Sequence, residues 1–288
     1  MPIPYRVLAL SSHVHLSPHS VDMSAHKVVL ADWQPQGVQR VFAFSAWSWV
    51  GLMDDGRSVL KYPRREGDEE AMQVLYEEAA RYHHVGSHEN LVSFKGIHEH
   101  GLMFEYCEKG SLGDVIQYQR PPLTSGEKTM LGQQITRCLV HLHARNLIHG
   151  DISVRNVFVT AATVAKVGDL QGQLYGSDGT TVKFASFTNE NSQSRHPHAG
   201  EDEFSQRTDI FALGTLLYCL WHGHLPFPEL NEFYDEEEIQ ARYRRGEFPL
   251  ALEEATDIDR IICNCWRSEY NQMVEVLKDI EVLGKRIY

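Results

Sequence analysis

The sequence predicts an α+β fold in which five antiparallel strands and one helix precede a mainly helical half. Residues 38–62 are predicted to form three strands, and the Asp-Asp-Gly run at 54–56 has the composition of a tight hairpin turn. Residues 67–86 carry apolar side chains at helical spacing, and two more strands are predicted at 91–99 and 101–107. The strands therefore lie in the first part of the chain.

The second half contains three helix signals. Thr124 and Glu127 form a capping box that opens a helix predicted to run to about Ala144. Residues 208–223 are apolar on nearly all sides, which predicts a helix buried inside a larger body. Residues 235–246 begin with acidic side chains and end with two arginines and a glycine, which suits the helix dipole and a C-terminal cap.

The composition is that of a globular protein and argues against several partners. The 288 residues are enough for one large domain or two lobes, with 42% hydrophobic and 23% charged residues. A net charge of -12 argues against nucleic acid or an anionic membrane surface as the main partner. No apolar run approaches the roughly 18–20 residues of a membrane span, and no signal peptide is evident. Five cysteines without a CxxC pair favour a cytoplasmic or otherwise intracellular location.

The stretch LIHGDISVRNVFVT, residues 147–160, sets Asp151 and Asn156 five positions apart among apolar residues. Burying a carboxylate is costly unless a cation or a hydrogen-bond donor compensates it, so Asp151 is expected to have a partner. Asp169 follows Asn156 by thirteen positions (169 − 156 = 13).

A second buried charge is predicted on the helix at 67–86. Glu78 lies on the stripe formed with Leu75 and Tyr82, so its carboxylate points where apolar neighbours point and requires a partner. Glu77 remains an alternative to Glu78 as the inward-facing carboxylate.

Six segments, between about residues 38 and 283, resemble in order the motifs of protein kinases. HGDISVRN resembles the catalytic loop H-R-D-L-x-x-x-N, and VGDLQG stands at the place of D-F-G. SVLKYP resembles the strand of the nucleotide-contacting lysine, and YEEAARYHHVGSHENLVSFKGI resembles the helix that supplies its glutamate. MFEYCEKGSLGDVI resembles the hinge between the lobes, and TDIFALGTLLYCLWHGHLPF the helix whose Asp209 supports the catalytic loop. The chain is identified as a member of the eukaryotic protein-kinase-like superfamily, in a divergent branch that resembles filamentous-fungal kinase-like proteins.

This resemblance implies a bilobal protein-kinase-like fold. The N-terminal lobe would comprise residues 1–106, with an irregular lead-in at 1–36, and the helical C-terminal lobe residues 107–288. The five strands and one helix would then form the first lobe, and the cofactors would be ATP and Mg²⁺.

The resemblance also implies a role for individual residues. Lys61 would hold the α- and β-phosphates beside Glu78, and Asp151 would orient the acceptor hydroxyl and take its proton. Phe104 would be the gatekeeper, and adenine would bond to backbone groups of Glu105 and Cys107. The implied catalytic residues are Asp151, Lys61, Glu78 and Arg155, the nucleotide contacts are Ala43, Ser45, Ser48, Val50, Lys61, Phe104, Glu105 and Cys107, and the metal ligands are Asn156 and Asp169.

Four departures from the kinase pattern bear on activity. The three glycine positions of the phosphate loop hold one alanine and two serines, which weakens close backbone approach to phosphate. Gly150 replaces the arginine that pairs with a phosphorylated activation segment in many kinases. Gln171 replaces the glycine of D-F-G, and RHPHAG stands where A-P-E is expected, with His198 at the glutamate position.

The function indicated is ATP- and Mg²⁺-dependent phosphoryl transfer to a hydroxyl acceptor, most readily on a protein. One alternative is a pseudokinase scaffold that binds nucleotide weakly or not at all. Another is a phosphotransferase or repurposed kinase-fold enzyme that acts on a small hydroxyl compound, because "HGD" is also typical of aminoglycoside- and choline-type phosphotransferases. Nucleic acid and membranes are not expected as partners.

Overall fold

The computed structural model describes residues 31, 33–45, 47–186, 190–200, 202–250 and 255–287. The first part contains β1 (Val38–Phe44), β2 (Ser48–Met53), β3 (Ser58–Pro63), α1 (Glu69–Val85), β4 (Phe94–His98) and β5 (Gly101–Glu105). The five strands form one antiparallel sheet in the order β1-β2-β3-β5-β4. The predicted five strands and one helix are confirmed, and most of the predicted lead-in, residues 1–30 and 32, lies outside the described residues.

The second part is mainly helical, as predicted, and completes a bilobal kinase fold. Its described helices are α2 (Leu112–Tyr118), α3 (Ser125–His143), α4 (Gln206–His222), α5 (Glu236–Arg244), α6 (Asp257–Trp266) and α7 (Met273–Ile287). Short strands that the sequence pattern did not predict lie between α3 and α4: β6 (Leu147–Ile148), β7 (Val157–Val159), β8 (Ala165–Val167), β9 (Gln173–Tyr175) and β10 (Val182–Phe184). β7 pairs with β8, whereas β9 pairs with both β6 and β10.

Helix ends follow the predicted signals closely. The Thr124 side chain accepts a hydrogen bond from the Glu127 N–H at 3.2 Å, and the Glu127 carboxylate accepts one from the Thr124 N–H at 2.8 Å. This capping box starts α3 at the predicted residue. Helix α5 ends at Arg244, two residues before Gly246, which has a φ of 71° and turns the chain away from the helix.

Alternation along β3 directs Lys61 towards α1. Val59 belongs to the main core with α1, whereas Leu60 and Tyr62 belong to a smaller apolar cluster. Because successive side chains of a strand point to opposite faces, Lys61 lies on the α1 side with Val59. Trp33 packs on the other face, with its ring 5.3 Å from the ring of Tyr62.

Helix α4 is the buried helix that the sequence predicts. Every residue from Thr208 to Leu220 is buried. The Trp266 ring from α6 crosses it, and its Nε1 donates to Thr215 Oγ1 at 3.1 Å. Among the helices of the described residues, α4 included, none is both long and apolar enough to cross a membrane.

Gly214→Ala is expected to lower the free energy of unfolding by about 1–3 kcal/mol, because overpacking a tight helix contact forces its neighbours apart. A Cβ at Gly214 would lie 2.8 Å from Cys265 Cβ and 3.2 Å from Trp266 Cδ1. Urea denaturation measures the change.

The matched control is Gly113→Ala on α2, where the nearest atom to the new Cβ would be Val154 Cγ2 at 3.4 Å. That variant should be unchanged or gain up to about 1 kcal/mol, since alanine loses less backbone entropy on folding. Equal losses in the two variants would contradict the packing explanation.

Candidate active site

Lys61 and Glu78 meet in the interior between β3 and α1. Lys61 Nζ lies 2.6 Å from Glu78 Oε2, and the two side chains are 9% and 1% exposed. Leu75 and Tyr82 are buried on the same helix face, so the apolar stripe carries the carboxylate inward. Glu77 instead lies 3.9 Å from Arg81, and the geometry favours Glu78 as the partner of Lys61.

Asp169, in the segment after β8, joins this pair. Lys61 Nζ also donates to Asp169 Oδ1, at 2.5 Å. Asp169 has a φ of 60°, in the left-handed region that few residues other than glycine adopt. The next residue, Leu170, is fully buried, and Gln171 Nε2 lies 3.5 Å from Glu78 Oε2. The residue at the usual glycine position thus faces the ion pair.

Burial and neighbouring charges shift the pKa values of all three residues in this cluster. Burial alone would lower the pKa of Lys61, but the charges of Asp169 and Glu78 more than offset it and raise that pKa. Burial would likewise raise the pKa of Asp169, yet Lys61 holds it below its usual value. Burial raises the pKa of Glu78 even against the charge of Lys61. Asp169 is therefore the carboxylate that keeps its charge to lower pH.

Asp209 in the first turn of α4 holds the backbone of the predicted catalytic loop through hydrogen bonds. Its carboxylate accepts hydrogen bonds from the N–H groups of His149 at 2.8 Å and Gly150 at 2.9 Å, and from His143 Nε2 at 2.7 Å. These bonds fix the backbone immediately before Asp151. Gly150 has a φ of 70°, a conformation that glycine adopts without steric cost.

Asp151 and Asn156 contact each other directly. Asn156 Nδ2 donates to the Asp151 carbonyl at 2.9 Å and to its Oδ2 at 2.8 Å. The Asp151 N–H lies 3.3 Å from His149 Nδ1, so His149 Nε2 carries the proton and donates to Gly168 O at 3.0 Å. Burial raises the pKa of Asp151, and the charge of Asp169 adds to that shift.

The oxygen atoms of this region fit a magnesium ion. Both amide hydrogens of Asn156 are used by Asp151, which leaves Asn156 Oδ1 as an acceptor. Asp151 Oδ1 is buried and accepts no hydrogen bond within the described residues. Those residues contain no group of three or more His, Cys, Asp or Glu side chains able to hold a metal alone. Magnesium is usually held by one or two carboxylates together with water and phosphate oxygens, so Asn156 and Asp169 would suffice.

Hydrogen bonds among its own residues hold the loop between β1 and β2 together. The Ser45 N–H donates to Ser48 O at 2.8 Å, and Ser45 Oγ accepts from the N–H groups of Trp47 at 3.3 Å and Ser48 at 3.1 Å. Ala43 and Val50 are paired opposite each other on the two strands. A backbone N–H that is bonded within the loop is not available to phosphate, so this loop differs from a glycine-rich one.

The predicted hinge follows β5. Phe104 is buried, with its ring 5.1 Å from the ring of Tyr82. The Glu105 N–H donates to Ser93 O at 3.0 Å. In the part of the chain that the structure describes, the Cys107 N–H donates to no acceptor. Cys107 therefore has a donor available for a ligand at the edge of the cleft.

Arg155 contacts Glu232, which lies between α4 and α5. Glu232 in turn contacts Asn191 and Ser192, in the segment that precedes α4. Arg155 Nη1 lies 3.3 Å from Glu232 Oε1, and its side chain is 53% exposed. The other Glu232 oxygen accepts from Asn191 Nδ2, and the Glu232 carbonyl accepts from Ser192 Oγ at 2.8 Å. Sequence reasoning missed Glu232, because it stands in an acidic stretch where nothing distinguishes it.

The segment RHPHAG is held by a different histidine from the one that the motif comparison singles out. His198, at the glutamate position, is exposed, whereas His196 is buried. His196 Nε2 lies 3.0 Å from Arg207 Nε and 3.1 Å from Ser268 Oγ. Its ring packs edge-on against Phe211 at 5.2 Å. A His-Pro-His sequence carries no signal of which histidine is inside.

The fold and the order of these motifs are those of the kinase class of transferases. A family model described as "Protein tyrosine and serine/threonine kinase" matches residues 51–278. The chain therefore belongs to the protein tyrosine and serine/threonine kinase family.

Curated kinases are similar to this chain at low identity. It is 24% identical over 229 residues to the probable serine/threonine-protein kinase gdt2 of Dictyostelium discoideum, covering 74% of this chain and 13% of that protein. It is 26% identical over 211 residues to the megakaryocyte-associated tyrosine-protein kinase of Mus musculus, covering 69% and 39%. It is 32% identical over 154 residues to the serine/threonine-protein kinase Nek5 of Mus musculus, covering 51% and 24%. The matches span less than half the length of these relatives.

Folding stability is expected to fall as the pH drops from neutral, partly through His196. Burial and the charge of Arg207 lower the pKa of His196 from 6.5 to about 4. Below 6.5 the unfolded chain binds a proton that the folded chain refuses, so this contribution is present above 6.5 and lost as the pH falls towards 4.

His196→Gln keeps a polar side chain that does not titrate in this range, and should flatten the curve of unfolding free energy against pH. Urea denaturation at several pH values measures it, and His198→Gln, at the exposed neighbour, is the control. Identical pH dependence in the parent and His196→Gln would contradict the assignment.

Proposed function

We propose that this chain is an ATP- and Mg²⁺-dependent phosphotransferase that moves a phosphoryl group to a hydroxyl group on a protein. The observation that carries the proposal is the buried ion pair between Lys61 and Glu78, at 2.6 Å. Removing water from two charges is costly, and well-packed apolar residues would often be at least as stable. A lysine fixed in the cleft has a clear chemical use, which is to hold phosphate.

Each charged residue has one part in the proposed reaction. Lys61 binds the α- and β-phosphates, and Glu78 keeps the ammonium group in position. Asn156 and Asp169 would hold Mg²⁺, which would neutralise charge on the phosphates. This division of labour is supported by the side-chain contacts of Lys61 with Glu78 and Asp169.

Asp151 serves the acceptor. It orients the acceptor hydroxyl and takes its proton as the hydroxyl oxygen forms a bond to the γ-phosphorus. The bond from that phosphorus to the bridging oxygen breaks, and ADP leaves. A pKa raised by burial makes Asp151 a better proton acceptor than an exposed aspartate. Asn156 holds Asp151 in place through two hydrogen bonds, one to its backbone carbonyl and one to its carboxylate.

The adenine ring is proposed to bind at the hinge, beside the gatekeeper Phe104. The Cys107 N–H and a backbone group of Glu105 would bond to its edge, with Val50 and Ala43 above it. The boundary between the lobes is accordingly proposed to lie between residues 106 and 107. An unused N–H at Cys107 supports this assignment.

A protein acceptor is favoured over a small hydroxyl compound by the family match and the kinase relatives. Five free cysteines, all buried, support an intracellular location. Membership of a branch resembling filamentous-fungal kinases stays a prediction.

A pseudokinase scaffold is the second candidate, and the loop between β1 and β2 favours it. Ser45 Oγ occupies the N–H groups of Trp47 and Ser48, which a phosphate-binding loop would leave open. The two candidates therefore differ in how tightly Mg-ATP binds.

Replacing Asp169 and Asp151 one at a time tests whether the chain is an enzyme. Asp169→Asn should lose both Mg²⁺-dependent ATP binding and turnover, because it removes a metal ligand. Asp151→Asn should bind Mg-ATP like the parent while turnover falls by about 10²–10⁴-fold, the usual contribution of a general base. Thermal shift with ATP, with and without Mg²⁺, reports binding, since ligand at a hundredfold excess over Kd adds about 2.7 kcal/mol of stability.

Two results would count against the enzyme. A parent protein with no thermal shift at millimolar Mg-ATP would favour the scaffold, and so would two variants that both behave like the parent. If the expected difference appears but no protein is labelled in lysate, a small hydroxyl compound becomes the favoured acceptor.

Ser45→Gly is expected to tighten Mg-ATP binding by at least about fivefold, because it frees two N–H groups to bond to phosphate. The Kd is measured by thermal-shift titration. Ser45→Thr keeps the oxygen and is the matched control, with an affinity like that of the parent. Unchanged or weaker binding in Ser45→Gly would mean that the loop does not limit nucleotide affinity.

A further inference from the structure

We propose that Arg81 is a positioning residue that fastens α1 to the activation segment, so that Glu78 stays on Lys61 without a phosphate on that segment. The activation segment here means the chain from Asp169 to Gly200. This inference rests on the proposed function, because it assigns a purpose to the position of Glu78.

Arg81 makes the contacts that fasten the two parts. Its side chain is fully buried. Arg81 Nε donates to Gly172 O at 2.7 Å, and Arg81 Nη2 donates to Ala185 O at 2.6 Å. The guanidinium carbon lies 5.4 Å from the centre of the Phe184 ring. A planar guanidinium with five N–H donors can thus hold two separate stretches of the segment at once.

Stability alone does not explain an arginine at this position. Burial lowers the pKa of Arg81, which records the cost of removing the cation from water. The nearest carboxylate oxygen, on Glu77, lies 3.9 Å away, and Arg81 Nη1 has no hydrogen-bond partner within the described residues. An apolar side chain would fill the same space without this desolvation cost. What the arginine adds is two specific hydrogen bonds, to the carbonyl groups of Gly172 and Ala185.

Arg81 can affect the ion pair between Lys61 and Glu78 because Arg81 and Glu78 lie on the same helix, α1. Arg81 and Glu78 are three residues apart on α1 and therefore neighbours on its surface. Gln171, next to Gly172 in the activation segment, lies 3.5 Å from Glu78 Oε2. The segment thus touches α1 at Arg81 and at Glu78, and moving the segment away would release both contacts.

The other end of this connection is the strand before the catalytic loop. A Cβ at Gly172 would lie 2.0 Å from Ile148 O and 2.2 Å from His149 O, so this part of the segment is fixed against β6. A continuous set of contacts therefore runs from the catalytic loop through Gly172 and Arg81 to Glu78. Gly150 offers no cation to a phosphate, and the partners of Arg81 are backbone carbonyls that need no modification.

A double-mutant cycle on Mg-ATP affinity tests whether Arg81 acts through Glu78. Arg81→Met keeps the volume and should weaken Mg-ATP binding by about tenfold if the two sites are coupled. The double variant Arg81→Met with Glu78→Gln should bind no worse than Glu78→Gln alone. Arg65→Met, at an exposed arginine just before α1, is the matched control and should bind like the parent. Losses that add in the double variant, or unchanged binding in Arg81→Met, would overturn the proposal.

Hydrogen exchange on the nucleotide-free protein separates this inference from the proposed function. Arg81→Met should speed amide exchange in residues 69–85 and 172–186 but not in α3. If the parent does not bind Mg-ATP, the proposed function fails and this exchange pattern alone decides the fastening role. Exchange that rises equally in α3, or nowhere, would overturn it.

Two further variants keep the proposal testable if Arg81→Met does not fold. Arg81→Lys keeps the charge but not the two-pronged geometry and should fall between the parent and Arg81→Met in both assays. Phe184→Leu removes the ring beside the guanidinium and should speed exchange in the same two regions.

Phosphatase treatment of the parent should leave Mg-ATP affinity and turnover unchanged, and a large loss of either would show that a phosphate positions the segment instead.

Discussion

A buried ammonium group between two carboxylates is the interaction on which the rest of the site depends. Lys61 is held by Glu78 at 2.6 Å and by Asp169 at 2.5 Å, and the three residues come from β3, α1 and the segment after β8. Removing any one leaves a buried charge without its full set of partners, so sheet, helix and segment must stay docked together. Two carboxylates and one ammonium leave an excess of negative charge, to which Asp151 adds. In the proposed function, this excess of negative charge would attract a divalent cation and repel a nucleotide that arrives without one.

The charged motifs could be predicted from the sequence because their chemistry is local. Glu78 stands out on an apolar stripe, and the Thr124–Glu127 box announces the start of α3 within one turn of helix. The sheet of five strands and the buried helix α4 follow from periodicity in the same way. The strands β6 to β10 could not be found, because two or three residues are too few to show an alternation.

Residues whose role depends on what covers them could not be predicted. Arg81, in EEAARYHH, has the surroundings of an exposed helix arginine, and only the carbonyls of Gly172 and Ala185 make it a buried one. His196 and His198 are indistinguishable until Arg207 and Ser268 lie against one of them. In both cases the missing information is a contact between segments far apart in the chain.

One departure from the kinase pattern, Gly150, and one buried arginine, Arg81, have related physical consequences. Gly150 removes a cation that could receive a phosphate, while its φ of 70° lets the backbone keep its path to Asp151. Arg81 supplies a cation to the same activation segment, but its partners are carbonyl oxygens, which are always present. A contact of that kind cannot be made or broken by adding a phosphate, so the position of α1 becomes a constant of the fold. The loop between β1 and β2 differs, because its hydrogen bonds to Ser45 Oγ depend on one side chain that a single substitution removes.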